Sequence, residues 1–149
     1  MKVLITDDDL AVRLALRKVL LEAGHEVLLA ADGVEALGHC AQDTVDLLLL
    51  DIGLPVKNGW DTFGRITNRN PLLPVIVITG RPNQYCTALA AGVGALMEKP
   101  VDVTQLLATM EELAAQSRTA RLSRLCGQNP DTRHVPPANE PLLRRLHRC

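Results

Sequence analysis

Short apolar runs alternate with longer stretches of helical period along this chain, which is the pattern of repeated strand-helix units around a parallel sheet. Five repeats are predicted. The strands read Lys2–Thr6, Glu26–Ala30, Asp46–Leu50, Pro74–Ile78 and Ala95–Glu98, and the helices about Leu10–Ala23, Gly33–Ala41, Trp60–Asn68, Asn83–Ala91 and Val103 onward. Leu47-Leu48-Leu49-Leu50 shows no polar alternation, as expected of a central strand covered on both faces. Gly24 and Gly92 stand where a left-handed residue ends a helix, and Asp9, Asp32 and Asp102 stand where helices take their N-caps.

The end of the pattern is less regular. Leu106, Met110 and Leu113 form a core-facing stripe, and the helical period continues through Leu122 and Leu125 to about residue 126, with Arg118, Arg121 and Arg124 on one face. Gly127–Pro141 is rich in Pro, Asn, Asp and Gly and reads as a flexible linker. Leu142–Cys149 is a short basic amphipathic piece, which either frays in solvent or serves in docking or dimerisation.

A length of 149 residues holds one ordinary domain with room for an appendage. Aromatics supply only 2% of the chain against 47% hydrophobic overall, so the core must be built from Leu, Val, Ile and Ala, which suits helices on a parallel sheet. No run approaches the roughly 18 apolar residues of a membrane span, and the start, Lys2-Val3-Leu4-Ile5, has no basic segment followed by a long apolar stretch, so no secretory signal is expected. Cys40, Cys86, Cys126 and Cys149 lie far apart without Cys-x-x-Cys or Cys/His spacing, so four reduced thiols in a cytoplasmic protein are expected. The net charge of −1 conceals a split. Residues 1–115 carry 9 Lys/Arg against 15 Asp/Glu, whereas 116–149 carry 7 against 2, so an acidic domain has a basic tail.

Candidate chemistry follows from where the strands end. Asp7 and Asp8 follow the first, Asp51 the third, Thr79 the fourth and Lys99-Pro100 the fifth, the end of a sheet at which open α/β folds place their sites. Asp51 opens the loop Asp51-Ile52-Gly53-Leu54-Pro55-Val56-Lys57-Asn58-Gly59, whose Pro and Asn-Gly fix a turn. A carboxylate can attack a phosphoryl donor to form an aspartyl-phosphate, and the anionic cluster suits Mg²⁺. Asp8 and Asp51 would bind the metal directly, Asp7 through water, and the Gly53 carbonyl would complete the protein ligands. Lys99 and the Thr79 hydroxyl would meet the remaining phosphoryl oxygens.

Over about residues 1–118 the chain closely resembles the receiver domain of two-component response regulators. The motifs are Val3-Leu4-Ile5-Thr6-Asp7-Asp8-Asp9, Ala31-Asp32-Gly33-Val34-Glu35-Ala36-Leu37, Asp51 through Gly59, Thr79-Gly80 and Gly92 through Pro100. The resemblance implies a flavodoxin-like doubly wound sheet of five parallel strands in the order 2-1-3-4-5. It implies Asp51 as phosphoacceptor, Asp7 and Asp8 as the Mg²⁺ pair, Thr79 as the switch hydroxyl and Lys99 as the phosphate-binding lysine. The implied donor is a sensor histidine kinase or phosphotransfer protein. A downstream protein would dock on the fourth helix, fifth strand and fifth helix or on the tail, with a homodimer as a further arrangement and neither nucleic acid nor membrane as the expected partner.

The expected organisation is a receiver over 1–118 and a basic extension over 119–149, with no separate output domain. Two positions depart from the family pattern. Leu96 replaces the Tyr or Phe three residues before the lysine, and Val101 replaces the Phe after Lys-Pro. Neither meets the phosphoryl group, so both bear on how Thr79 couples to the output surface rather than on phosphorylation. Two alternatives stand beside this reading: a receiver-like interaction module that works without phosphorylation, and a Mg²⁺-dependent phosphatase of the haloacid-dehalogenase type using Asp7-x-Asp9. The second leaves the Asp51 loop without a role.

Overall fold

The leucine and isoleucine runs form strands and the amphipathic stretches form helices. A computed structural model describes residues 1–55, 58–128 and 131–139, in two units that divide between Val75 and Ile76. The first contains β1 (Lys2–Thr6), α1 (Leu10–Glu22), β2 (Glu26–Ala30), α2 (Gly33–Gln42), β3 (Leu47–Asp51) and α3 (Gly59–Arg69). β1 pairs in parallel with β2 and with β3, Thr6 lying opposite both Ala30 and Leu50. Leu47–Leu50 are all buried, which accounts for their lack of polar alternation.

The second unit carries β4 (Val75–Thr79) from Ile76 on, α4 (Tyr85–Ala91), β5 (Ala95–Glu98), α5 (Val103–Ala115), α6 (Arg118–Leu125) and β6 (Arg133–Val135). β5 is parallel to β4 and to β6, with Thr79 opposite Glu98 and Leu96 opposite His134. The strand order is β2-β1-β3-β4-β5, as expected, followed by β6 as an addition at the β5 edge.

The helix ends have the expected causes. Asp9, Asp32 and Asp102 accept backbone N–H groups from the first turns of α1, α2 and α5, satisfying donors that have no partner within the helix. Gly92 closes α4 at φ 72°, and a Cβ there would lie 2.9 Å from the Leu125 Cα, so α6 as well as the turn requires glycine. Among the described residues no helix is long and apolar enough to cross a membrane.

Three expectations are corrected. The last helix does not run on to residue 126. Gln116 and Ser117 turn extended, and the Ser117 hydroxyl caps a separate α6 by accepting the Ala120 N–H at 3.1 Å. Residues 127–141 were expected to be a flexible linker, yet within them Arg133–Val135 forms β6. Its hydrogen bonds come from a strand far away in sequence, which local composition does not register. The cysteines are not all reduced: Cys40 and Cys126 are free, whereas Cys86 is disulfide-bonded. Separation along the chain does not bound distance in space, and the thiol argument for a cytoplasmic setting falls with it. The basic piece Leu142–Cys149 lies outside the described residues.

Candidate functional site

The parallel register that pairs Thr6 with Leu50 makes Asp7 and Asp51 the next positions at the carboxyl ends of β1 and β3. Asp7 is buried and its N–H donates to the Ala30 carbonyl at 3.2 Å, prolonging the ladder by one residue. Its Oδ1 accepts the Asp9 N–H at 2.9 Å, which turns the chain into α1. Asp8 is exposed between them. Asp51 is 7% exposed, and its Oδ1 accepts the Gly53 N–H at 2.6 Å.

One carboxylate oxygen from each of Asp7, Asp8 and Asp51 lies within 4.8 Å of the other two. Three hard oxygen donors, without imidazole or thiolate, fit Mg²⁺ far better than Zn²⁺. Drawing two buried carboxylates this close is costly unless positive charge accompanies them. Asp9 stands apart in role: its Oδ1 accepts the N–H groups of Ala11 at 2.8 Å and Val12 at 3.4 Å, so it is the cap of α1.

The loop after Asp51 is closed by its two ends. Asn58 Oδ1 accepts the Trp60 N–H at 3.1 Å, and the Gly59 N–H donates to the Ile52 carbonyl at 3.3 Å. A Cβ on Gly59 would stand 2.1 Å from the Ile52 Cα, so only glycine lets α3 start against the strand end. Val56 and Lys57 lie outside the described residues.

Sequence reasoning missed Arg13. Its Nη1 donates to the Asp7 carbonyl at 2.5 Å, fixing from α1 the backbone that carries the acidic pair. An arginine on the second turn of the helix after that pair was the available signal.

In the second unit, Thr79 ends β4 fully buried, and its Oγ1 accepts the Arg81 N–H at 2.9 Å. The Lys99 N–H donates to the Thr79 carbonyl at 2.8 Å, and the Lys99–Pro100 peptide is cis. A Cβ on Gly80 would come within 4.0 Å of Lys99 Cδ, so the lysine stem passes beside a residue without a side chain. Leu96, where the family pattern has an aromatic ring, is wholly buried.

Two of the arginines read as one face of a long helix, Arg121 and Arg124, are engaged inside the fold, whereas Arg118 is exposed. Arg121 Nη2 donates to the carbonyls of Leu113 at 3.0 Å and Ala114 at 3.1 Å, completing the end of α5. Arg124 is buried and donates from both terminal nitrogens to Gln116 Oε1. Its pKa is lowered first by burial, with Asp131 opposing and Arg121 adding to that effect. Arg121 and Arg124 serve the packing of α6, which accounts for two of the seven basic residues after residue 115.

Comparison with known proteins bears on the same residues. Residues 3–111 match the family model described as response regulator receiver domain. The chain is 37% identical over 144 residues to the response regulator MprA of Mycobacterium tuberculosis (strain H37Rv), covering 90% of this chain and 62% of the relative. It is similar to the CheY-like receiver domain protein of Methanospirillum hungatei JF-1, with a TM-score of 0.72 and 30% identity over 76% of this chain and 92% of that one. It is similar also to the receiver domain of NtrX from Brucella abortus, with a TM-score of 0.73 and 28% identity over 77% of this chain and 99% of that one. The chain thus spans less than two thirds of the length of the curated relatives it matches.

Proposed function

Because the chain belongs to the response regulator receiver family, a family of signalling domains rather than conventional enzymes, we propose that it is switched by transfer of a phosphoryl group to Asp51. The observation that carries the reading is the acidic cluster, in which Asp51 is held beside Asp7 and Asp8 at adjoining strand ends.

An Asp51 carboxylate oxygen forms the new O–P bond. The P–N bond of a phosphohistidine donor breaks, and the donor imidazole leaves with the bonding pair and takes up a proton from water. Asp7, Asp8, Asp51 and the Gly53 carbonyl would hold Mg²⁺, which supplies charge neutralisation between two anions. The Gly53 N–H accepted by one Asp51 oxygen orients the carboxylate at the strand end. Thr79 and Lys99, at the carboxyl ends of β4 and β5, would give a hydroxyl and an ammonium to further phosphoryl oxygens. Phosphorylation shifts the domain between states by the difference in its contacts with each.

The partner in this reading is a sensor histidine kinase or a phosphotransfer protein. The test is incubation with Mg²⁺ and a small acyl-phosphate, followed by intact mass. One phosphoryl increment that is absent from Asp51→Ala supports the reading, whereas no increment from either the small donor or a kinase overturns it. An increment lost instead in Asp7→Asn and kept in Asp51→Ala would mean phosphatase-type chemistry, which the capping role of Asp9 disfavours. Burial of Leu96 favours one second reading, a module that binds its target without phosphorylation; equal target binding by the wild type and Asp51→Ala would establish it.

A further inference from the structure

The segment from Asp131 to Ala138 runs along the outer edge of β5 and is fastened there along its length. The Thr132 hydroxyl donates to the Val93 carbonyl at 2.7 Å and is buried with it. The Arg133 N–H donates to the Gly94 carbonyl at 3.2 Å, and the Ala138 N–H to the Pro100 carbonyl at 3.0 Å. The Arg133 guanidinium pairs with Glu112 and reaches Gln105 on α5. His134, opposite Leu96 in the ladder, sets its Nε2 2.7 Å from Glu98 Oε1, with only 7% of its side chain exposed. Its ring lies 5.1 Å from that of Tyr85, the first residue of α4.

Two of these anchors, Glu98 and Pro100, are the immediate neighbours of Lys99, whose own N–H is tied to Thr79. The strap is therefore joined to the turn that carries the lysine from both sides. Its docking is also incomplete. β6 is three residues long, Pro136 and Pro137 follow it and bring no N–H, and His134 Nδ1 is buried without a hydrogen-bond partner among the described residues. A cleft of about 340 Å³ is lined by Asp102, Gln105 and the strap itself. Such an edge strand sits at the low-stability end of a fold, where elements that come and go are found.

We propose that the outer edge of β5 is a strand-docking surface whose occupant is this chain's own segment Thr132–Ala138, and that the segment is released when Lys99 is drawn onto a phosphoryl group. The inference rests on the phosphorylation reading for its trigger. A shift of the turn that carries Lys99 moves the Glu98 carboxylate and the Pro100 carbonyl together, and a strap fitted to the resting positions of both loses two of its anchors. Release bares an edge of β5, to which an extended segment of a partner can add.

Linkage makes the coupling reciprocal: the factor by which the phosphoryl group weakens strap docking equals the factor by which a docked strap weakens binding of the phosphoryl group. The experiment is hydrogen exchange of the full chain, read at residues 131–139, with Mg²⁺ alone and with Mg²⁺ plus fluoroberyllate as a phosphoryl analogue, whose occupancy is followed separately by mass. Exchange of the Arg133 and Ala138 amides is expected to rise at least about fivefold with the analogue bound. His134→Ala and Glu98→Gln, far milder than truncation, are each expected to raise exchange without the analogue and to tighten its binding severalfold.

Unchanged or slowed exchange with the analogue bound overturns the inference and leaves the phosphorylation reading standing. Absence of analogue binding removes that reading, and the coupling with it, while strap protection remains measurable. Loosened straps in both variants with unaltered analogue affinity also overturn the coupling.

Discussion

The Lys99 N–H donates to the Thr79 carbonyl at 2.8 Å, so the two residues proposed to meet the phosphoryl group are joined through backbone and keep that bond whatever their side chains become. Thr79→Ala removes the Oγ1 that accepts the Arg81 N–H together with the γ-methyl of a fully buried side chain. The hydrogen-bond part, about 1 kcal/mol of stability in urea unfolding, is expected to return in Thr79→Ser, which keeps the hydroxyl. Asp51 should still be labelled in Thr79→Ala, with a smaller change in Trp60 fluorescence than in the wild type.

Asp8 is the exposed member of the acidic trio. Asp8→Asn takes one charge from the cation's donors without opening the core. Mg²⁺ affinity, followed by Trp60 fluorescence, is expected to fall at least about tenfold, while unfolding without Mg²⁺ is unchanged or shifts upward as repulsion among the carboxylates eases.

Two glycines of α3 should answer oppositely to the same change. A Cβ on Gly59 meets the backbone of Ile52, which cannot step aside, whereas a Cβ on Gly64 meets nothing within 4 Å. Gly59→Ala is expected to lose about 1–3 kcal/mol, and Gly64→Ala to gain up to about 1 kcal/mol through helix propensity. Chemical denaturation of the two variants decides it; destabilisation by Gly64→Ala would mean that its surroundings are not open.

Burial raises the pKa of the Cys40 thiol, while Cys126 is exposed. Only the thiolate reacts, so iodoacetamide at pH 8 should label Cys126 well before Cys40 in the native protein and equally in denaturant. A raised folded pKa means that the folded state holds its proton longer, so this group's contribution to stability is present below the ordinary thiol pKa and declines as pH rises past it.

Legibility of the fold varied with the range of the forces involved. The first five strands, the caps at Asp9, Asp32 and Asp102, and the meeting of Asp7, Asp8 and Asp51 were visible because period, capping chemistry and strand ends are local signals. The break at Ser117 was also local, a serine before Arg118 that accepts a first-turn N–H, but the unbroken apolar period across it dominated the reading. β6 was not legible: Thr132, Arg133 and His134 take their partners from Val93, Gly94, Glu98 and Glu112. No short window contains those pairs. The same distance in sequence hid the work of Arg121 and Arg124, which were placed on one face of a continued helix and instead close the end of α5.

The near absence of aromatic residues, met first as a constraint on the core, leaves one tryptophan and one tyrosine. Trp60 stands edge-on to Phe63 at 6.0 Å just past the Asp51 loop, and Tyr85 lies against His134 of the strap. The molecule thus has two native optical channels. Excitation at the red edge of the near-ultraviolet band sees Trp60 alone and follows the acidic site, while tyrosine dichroism follows Tyr85 and the strap, so the order and rates of the two events can be timed in an unlabelled protein.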